Sequence, residues 1–323
     1  MIRTGVIRIC SMERADSPGI RHHVLSDRNG IAAILMIVLI GVLWGLNWPV
    51  VKFMLTEMPP LTIRAAAFPI AALLLALVAR LAGHGLRPSR GDLLPIMVTG
   101  LFLVFGFNVL TTFGQLVTET SRAAIIAYTM PVLTAVLAVV FLREQLEWRI
   151  VAALMIGMAA LAVLISEDTA VVASGPTGPA IMMLAALSWA LGNVALKSRK
   201  WSLSPLALTV WFFVISSLAS WPLVLLFEPP WMQAWPSRSV LLALAYHVLG
   251  PMVVCYAVWT LALGRLSATT AAISTLTAPI VGVGSAVFFL GEQATWQKFA
   301  ALAMVVASVL MTLLPRMGQE RRP

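Results

Sequence analysis

The sequence predicts an all-α membrane protein of ten transmembrane helices, arranged as two inverted-topology repeats of five. Three observations predict it. Of the 323 residues 60% are hydrophobic and only 11% charged, with a mean hydropathy of +0.94; soluble domains run near 25% charged, so a water-soluble fold of this size would lack polar side chains for its surface. Apolar runs of the length that spans a hydrocarbon core, about 20 residues, recur ten times. Blocks of sequence also repeat at a fixed displacement.

The runs follow one another with clear punctuation. Ile31–Val51 comes after a basic segment. Leu61–Ala79 opens at Pro59-Pro60, and Leu93–Phe113, Arg122–Leu142 and Trp148–Ser166 complete the first five. Gly175-Pro176-Thr177-Gly178 introduces Gly178–Leu196, and Ser204-Pro205 supplies an N-cap with proline at the first helical position of Pro205–Phe227. Val240–Leu263, Ala268–Leu290 and Trp296–Leu314 close the set.

Charge sets the expected orientation. With the N-terminus inside, the cytoplasmic segments carry Arg3, Arg8, Arg14, Arg21, Arg28, Arg80, Arg87, Arg90, Arg143, Arg149, Lys197, Arg199, Lys200, Arg265, Arg316, Arg321 and Arg322. The outer segments carry Lys52, Arg122, Arg238 and Lys298, and Arg64 lies within a span. That is 17 against 4, the bias of a cell inner-membrane protein with both termini cytoplasmic. The net charge of +9 is spread over these short segments and not gathered into a basic domain, so no nucleic-acid partner is expected. Residues 1–30 lack the apolar core and small-residue cleavage site of a signal peptide and are expected to form a basic cytoplasmic tail, with Met12 an alternative start. Residues 315–323 form the second tail. Cys10 and Cys255 offer neither a disulfide framework nor a metal spacing, and no cofactor or metal is expected.

The repeat is specific. Ala123-Ala124-Ile125 recurs as Ala271-Ala272-Ile273, Pro131 as Pro279, Glu144-Gln145 as Glu292-Gln293, and Trp148 as Trp296, all 148 residues apart, with about 16 identities in roughly 45 ungapped positions. Trp44-Gly45-Leu46 and Lys52 likewise match Trp189-Ala190-Leu191 and Lys197. Two halves, 31–166 and 178–314, follow. Five helices is an odd number, so the second half enters the membrane from the opposite side. That architecture implies alternating access around a central site.

At these residues the chain resembles the drug/metabolite transporter superfamily, EamA-domain type. Trp44-Gly45-Leu46-Asn47-Trp48-Pro49-Val50-Val51-Lys52 resembles the first-helix signature, and Ser188-Trp189-Ala190-Leu191-Gly192-Asn193 its second-half counterpart. Cys255 to Trp259, Gly264-Arg265, Pro279 and Leu290-Gly291-Glu292 are similar to the second EamA repeat. The resemblance covers 31–314 and is nearest to the amino-acid metabolite efflux branch. It implies a secondary carrier exporting amino acids or related small metabolites; drug or cation export, and uptake, are the alternatives on the same fold. No Walker A motif is present, and a non-transporting sensor or subunit would expect an appended soluble domain.

A solute crosses only where side chains or freed backbone replace its water, so polar residues deep in spans are the candidates for the pathway. Asn47 and Asn193 offer amides, and Trp44, Trp48 and Trp189 indole faces; helix–helix hydrogen bonding and interfacial anchoring are the structural alternatives. Pro131 and Pro279 each remove a helix hydrogen bond at mid-span, near Tyr128, Thr129, Ser274, Thr275 and Thr277. Asn108, Tyr256 and Trp259 supply an amide and an aromatic wall. Arg64 either snorkels to the headgroups or holds a substrate carboxylate. His247, the one mid-span histidine, is either a packing residue or the proton-coupling group. No catalytic residues are expected, because no carboxylate sits at a span centre. Glu144 and Glu292 are expected to complement the N-terminal dipoles of the helices that begin at Trp148 and Trp296. The small-residue stripes Ala153-x-x-x-Gly157 and Ala303-x-x-x-Ala307 serve packing within the chain or a homodimer.

Overall fold

The computed structural model describes residues 28–143, 148–166, 176–258 and 268–313. Every regular element among them is helical. Taken in order they are α1 (Arg28–Met54), α2 (Pro60–Leu81), α3 (Arg90–Val117), α4 (Thr120–Leu142), α5 (Trp148–Ile165), α6 (Thr177–Lys197), α7 (Pro205–Phe227), α8 (Arg238–Val258), α9 (Ala268–Leu290) and α10 (Trp296–Leu313). Six of these are long and apolar enough to cross a membrane (α2, α3, α4, α6, α7 and α8), and the others contribute shorter apolar stretches. Their outer faces carry Leu77, Leu81, Leu226, Phe227 and Phe288, all more than half exposed. Such a belt is tolerated only against lipid.

The halves correspond element by element. α3 begins at Arg90 and α8 at Arg238, α4 at Thr120 and α9 at Ala268, α5 at Trp148 and α10 at Trp296, a constant displacement of 148. Packing follows the same exchange. α1 packs on α9 and α8, as α6 packs on α4 and α3, while α2–α7 and α5–α10 pair with their own counterparts. Both third helices also carry a π-helical segment at the equivalent place, Leu101–Gly106 in α3 and Val248–Cys255 in α8. A π segment widens the turn and leaves carbonyls without their usual partner. Here Ser188 of α6 donates to the Phe102 carbonyl at 2.7 Å, and Asn108 turns back to the Val104 carbonyl at 2.8 Å.

Close approach is licensed by glycine in both halves. A Cβ on Gly45 of α1 would stand 2.5 Å from Val281 Cβ of α9, and one on Gly192 of α6 would stand 2.6 Å from the Leu103 backbone. The glycines of both signature motifs are therefore packing residues. On α5, Ala153 is fully buried and its carbonyl accepts from Ser308 of α10 at 2.6 Å, so this stripe serves packing within the chain. Ala303 and Ala307 are exposed.

The two prolines differ. α4 breaks at Tyr128 and Thr129, just ahead of Pro131, whereas α9 runs unbroken through Pro279. The fourth helix of each half ends on a left-handed residue: Arg143 at φ 55° and Gly291 at φ 67°. Glycine adopts that conformation freely, while a side chain there costs about 1–2 kcal/mol. Arg143→Gly is expected to raise the melting temperature, equivalent to about 1 kcal/mol, in a thermal-unfolding assay on purified protein.

Candidate functional site

Arg64 is the fifth residue of α2, close to that helix's start, yet only 2% of it is exposed. It does not snorkel. The side chain runs into the bundle, where Nε donates to Thr112 Oγ1 of α3 at 2.7 Å and Nη1 donates to His247 Nε2 of α8 at 2.8 Å. His247 is the tenth residue of α8, about 15 Å along the helix axis at 1.5 Å per residue. That depth is about half of a typical ~30 Å hydrocarbon core.

The donors and acceptors in this cluster assign one another. A guanidinium only donates, so Nε2 of His247 must hold a lone pair. Nδ1 then carries the proton and donates to Oδ1 of Asn47 on α1 at 2.6 Å. Thr112 accepts from Arg64 and donates to the Asn108 carbonyl one turn back at 2.7 Å. The Tyr256 side chain lies beside Asn108 and near the guanidinium. Its ring meets Trp44 edge-on at 6.0 Å and Phe213 at 5.1 Å, and Trp44 Nε1 donates to the Pro251 carbonyl in the π segment at 3.2 Å. Trp44, Asn47, Arg64, Asn108, His247 and Tyr256 therefore converge from α1, α2, α3 and α8.

Electrostatically the cluster is lopsided. A cation at mid-span costs about 2.5–3.5 kcal/mol on insertion scales. Arg64 meets this with neutral partners alone, since no carboxylate among the described residues is in ion-pair range of it.

The remaining candidates make other contacts. Trp48 and Tyr128 pack on each other at 6.2 Å, both buried, with Trp48 also against Gly282. Thr129 spends its hydroxyl on the Ile126 carbonyl at 2.7 Å, at the break ahead of Pro131. Trp189 packs on Phe107 at 4.8 Å, and Asn193 donates to the Trp189 carbonyl of its own helix at 3.0 Å. Pro279 and the half-buried Thr277 sit on α9. Trp259, Glu144 and the side chains of Ser274 and Thr275 lie outside the described residues.

Sequence reading missed Thr112, although its place four residues after Asn108 puts it on the same helix face. It also misplaced Glu292. That carboxylate does not serve the helix beginning at Trp296; it accepts from the Thr120 and Ser121 amides, at 2.6 and 3.0 Å, and from the Ser121 hydroxyl, capping α4 of the other half. The carboxylate complements a helix N-terminus, but the helix is a neighbour in space and not in sequence.

The same end of the molecule repeats the device twice. Glu228 accepts from Leu61 and Thr62 at the start of α2, at 3.1 and 2.7 Å, and Glu57 accepts from Ser237 at the start of α8, at 2.6 Å. Lys52 donates to the Gln115 and Thr118 carbonyls at the end of α3, and the buried Lys298 pairs with Glu119 at 2.7 Å. At the opposite end Asp92 holds Ser202 and Arg199, at 3.0 and 2.7 Å.

Matches to the EamA-like transporter family cover residues 31–166 and 176–314, nearly all of the chain and one match per half. The chain belongs to the EamA-like transporter family. Family members are transporters and not enzymes, and the chain is accordingly a multi-pass membrane transporter. This EamA-like transporter is 26% identical to a probable amino-acid metabolite efflux pump of Salmonella typhimurium, over 90% of this chain and 96% of that one. It is 25% identical to the Escherichia coli protein of the same description, with the same coverage. The uncharacterized transporter YoaV of Bacillus subtilis is 20% identical over 87% of this chain and 96% of its own. A solved crystal structure superposes with a TM-score of 0.63 at 20% identity, covering 87% of this chain and 96% of that one, which places the fold.

Proposed function

We propose that this EamA-like transporter is a secondary carrier of the inner membrane that exports amino acids or related small metabolites by alternating access. The observation that carries the proposal is Arg64: a fully buried cation at the junction of both halves, with no described carboxylate to neutralise it. A substrate carboxylate supplies the missing charge and the planar geometry that a guanidinium fork prefers. Trp44, Asn47, Asn108 and Tyr256 line that position, and His247 is the group that exchanges protons. Relatives described as probable amino-acid metabolite efflux pumps support the substrate class.

Matched helix bounds in two five-helix halves support an inverted repeat, because an odd helix count reverses the second half. The lysine and arginine bias supports cytoplasmic termini, which puts the Lys52–Glu292 end outside. Single cysteines at Arg143 and Gly291 are then expected to react with impermeant thiol reagent from opposite faces of the membrane. Labelling of both from one face would overturn the inversion.

The direct test is flux into proteoliposomes across a panel of amino acids, with and without a pH gradient. Counterflow of at least one amino acid, accelerated by a gradient, is expected. Counterflow of cationic drugs and of no amino acid would assign the chain to drug export.

A further inference from the structure

The pairing of Arg64 with His247 says what kind of molecule would fit between the two. We infer that the occupant is a zwitterionic α-amino acid inserted between Arg64 and His247, carboxylate on the guanidinium and ammonium on Nε2, and that a proton competes with it for Nε2. The inference rests on the proposed carboxylate role of Arg64 and adds the second half of the ligand.

The guanidinium offers N–H groups, and 2.8 Å away Nε2 offers a lone pair held in place by the Nδ1–Asn47 hydrogen bond at 2.6 Å. A cationic donor beside a neutral acceptor is complementary to an anionic acceptor beside a cationic donor. An α-amino acid has that arrangement, its carboxylate and ammonium being attached to one carbon. In the structure the two protein groups satisfy each other. In the loaded site each keeps a hydrogen bond of the same sense, Arg64 to the carboxylate and the ammonium to Nε2, so no buried group loses its partner. A carboxylate without an amino group leaves the Nε2 lone pair orphaned. An amine without a carboxylate places its charge beside a guanidinium with no counter-charge.

Nε2 has one lone pair, for which Arg64, the substrate ammonium and a proton are alternative occupants. A proton on Nε2 turns it into a donor facing a donor, so the contact with Arg64 also opens. Among the described residues the ring's hydrogen-bond partners are Arg64 and the neutral Asn47. α2 presents Arg64, α1 the neutral Asn47, and α3 the neutral Thr112 and Asn108 about the guanidinium, while Phe213 of α7 packs on Tyr256. On α8 itself Tyr246 donates its hydroxyl to the Leu43 carbonyl at 2.9 Å, and Tyr256 lies beside Asn108. No carboxylate joins them among the described residues. Proton and amino acid therefore alternate on one atom, which makes the carrier an exchanger: amino acid leaves when a proton takes its place.

The test uses the full-length chain in lipid nanodiscs. Each of the twenty proteinogenic amino acids is screened for binding, and the binders are titrated calorimetrically in buffers of different ionisation enthalpy, from neutral pH down to the lowest pH at which the protein stays folded. Binding without proton release is expected while the imidazole is neutral; once falling pH protonates it, release on binding is expected and affinity falls by up to about tenfold per pH unit. The deaminated counterpart of the same amino acid is expected to bind more weakly and with proton uptake, because its charge favours the imidazolium and it makes no use of Nε2. His247→Gln, whose side-chain oxygen still accepts a hydrogen bond but takes up no proton, is expected to bind more weakly and without any pH-dependent proton release. Amino-acid binding with no proton exchange at any pH in the unmodified protein would overturn the inference and leave the Arg64 role standing. Binding of none of the twenty would overturn both.

Discussion

Replacing Arg64 with Met is expected to lower amino-acid flux on the order of a hundredfold or more while leaving the fold intact. Removing the charged partner of a buried, hydrogen-bonded charge pair costs about 2–5 kcal/mol of binding, and in this site the substrate carboxylate has no second cation to turn to among the groups around His247. Stability responds to two opposed effects. Deleting a mid-span guanidinium relieves a desolvation cost of about 2.5–3.5 kcal/mol. Leaving the Nε2 acceptor of His247 unpaired returns about 1–3 kcal/mol of it. The near-cancellation predicts a melting temperature within a few degrees of the unmodified protein, alongside near-complete loss of counterflow. Arg64→Lys is expected to fail too, since one ammonium cannot reproduce the fork that spans Thr112 and His247. Thermal unfolding and flux on the same preparation separate the outcomes: joint loss of both would make Arg64 a structural residue and remove the argument for a carboxylate.

The second large effect is expected at Gly192, where Ala should destabilise the protein by about 1–3 kcal/mol and depress flux through disorder of the bundle. Its Cβ would lie 2.6 Å from the N and Cα of Leu103, against a carbon–carbon optimum of about 3.5–4.0 Å. The obstacle is backbone, so relief requires α6 and α3 to part by roughly the missing 1 Å. That movement would pull Ser188 from the Phe102 carbonyl of the π segment. Gly45→Ala is expected to act similarly on α1 and α9, where the obstacles are the Cβ of β-branched Val281 at 2.5 Å and the Ala278 carbonyl oxygen at 2.8 Å. Gly284 is the control. Nothing stands within 4 Å of a Cβ there, so Gly284→Ala is expected to be neutral or to stabilise by roughly 0.5–1 kcal/mol, the ordinary helix-propensity difference. Equal melting temperatures for the Gly192 and Gly284 variants would refute the close-packing account.

The fold was largely legible because its signals are local or periodic. Apolar length, proline and glycine punctuation and the displacement of 148 are all read along one chain, and each recurs as a helix boundary. Residue types in the site were legible in part for the same reason: an arginine or a histidine inside an apolar run stands out wherever its side chain goes. The π segments were not legible, because no residue type marks a change of hydrogen-bond register in a continuous helix. Nor was the destination of Glu292, because the nearest helix start along the sequence is not the nearest in space.

What the sequence determined unaided is solvent and order: a chain this apolar must be covered by lipid, and its helices succeed one another as two related sets of five. What tertiary structure alone decided is pairing. Arg64 and His247 are 183 residues apart and His247 and Asn47 are 200 apart, and no pattern along the chain joins them. The physical reason is that in a low-dielectric interior every donor must find an acceptor. Which acceptor it finds depends on how four helices cross, a matter settled by side-chain volumes and close backbone approaches and not by the order of residues within any one helix.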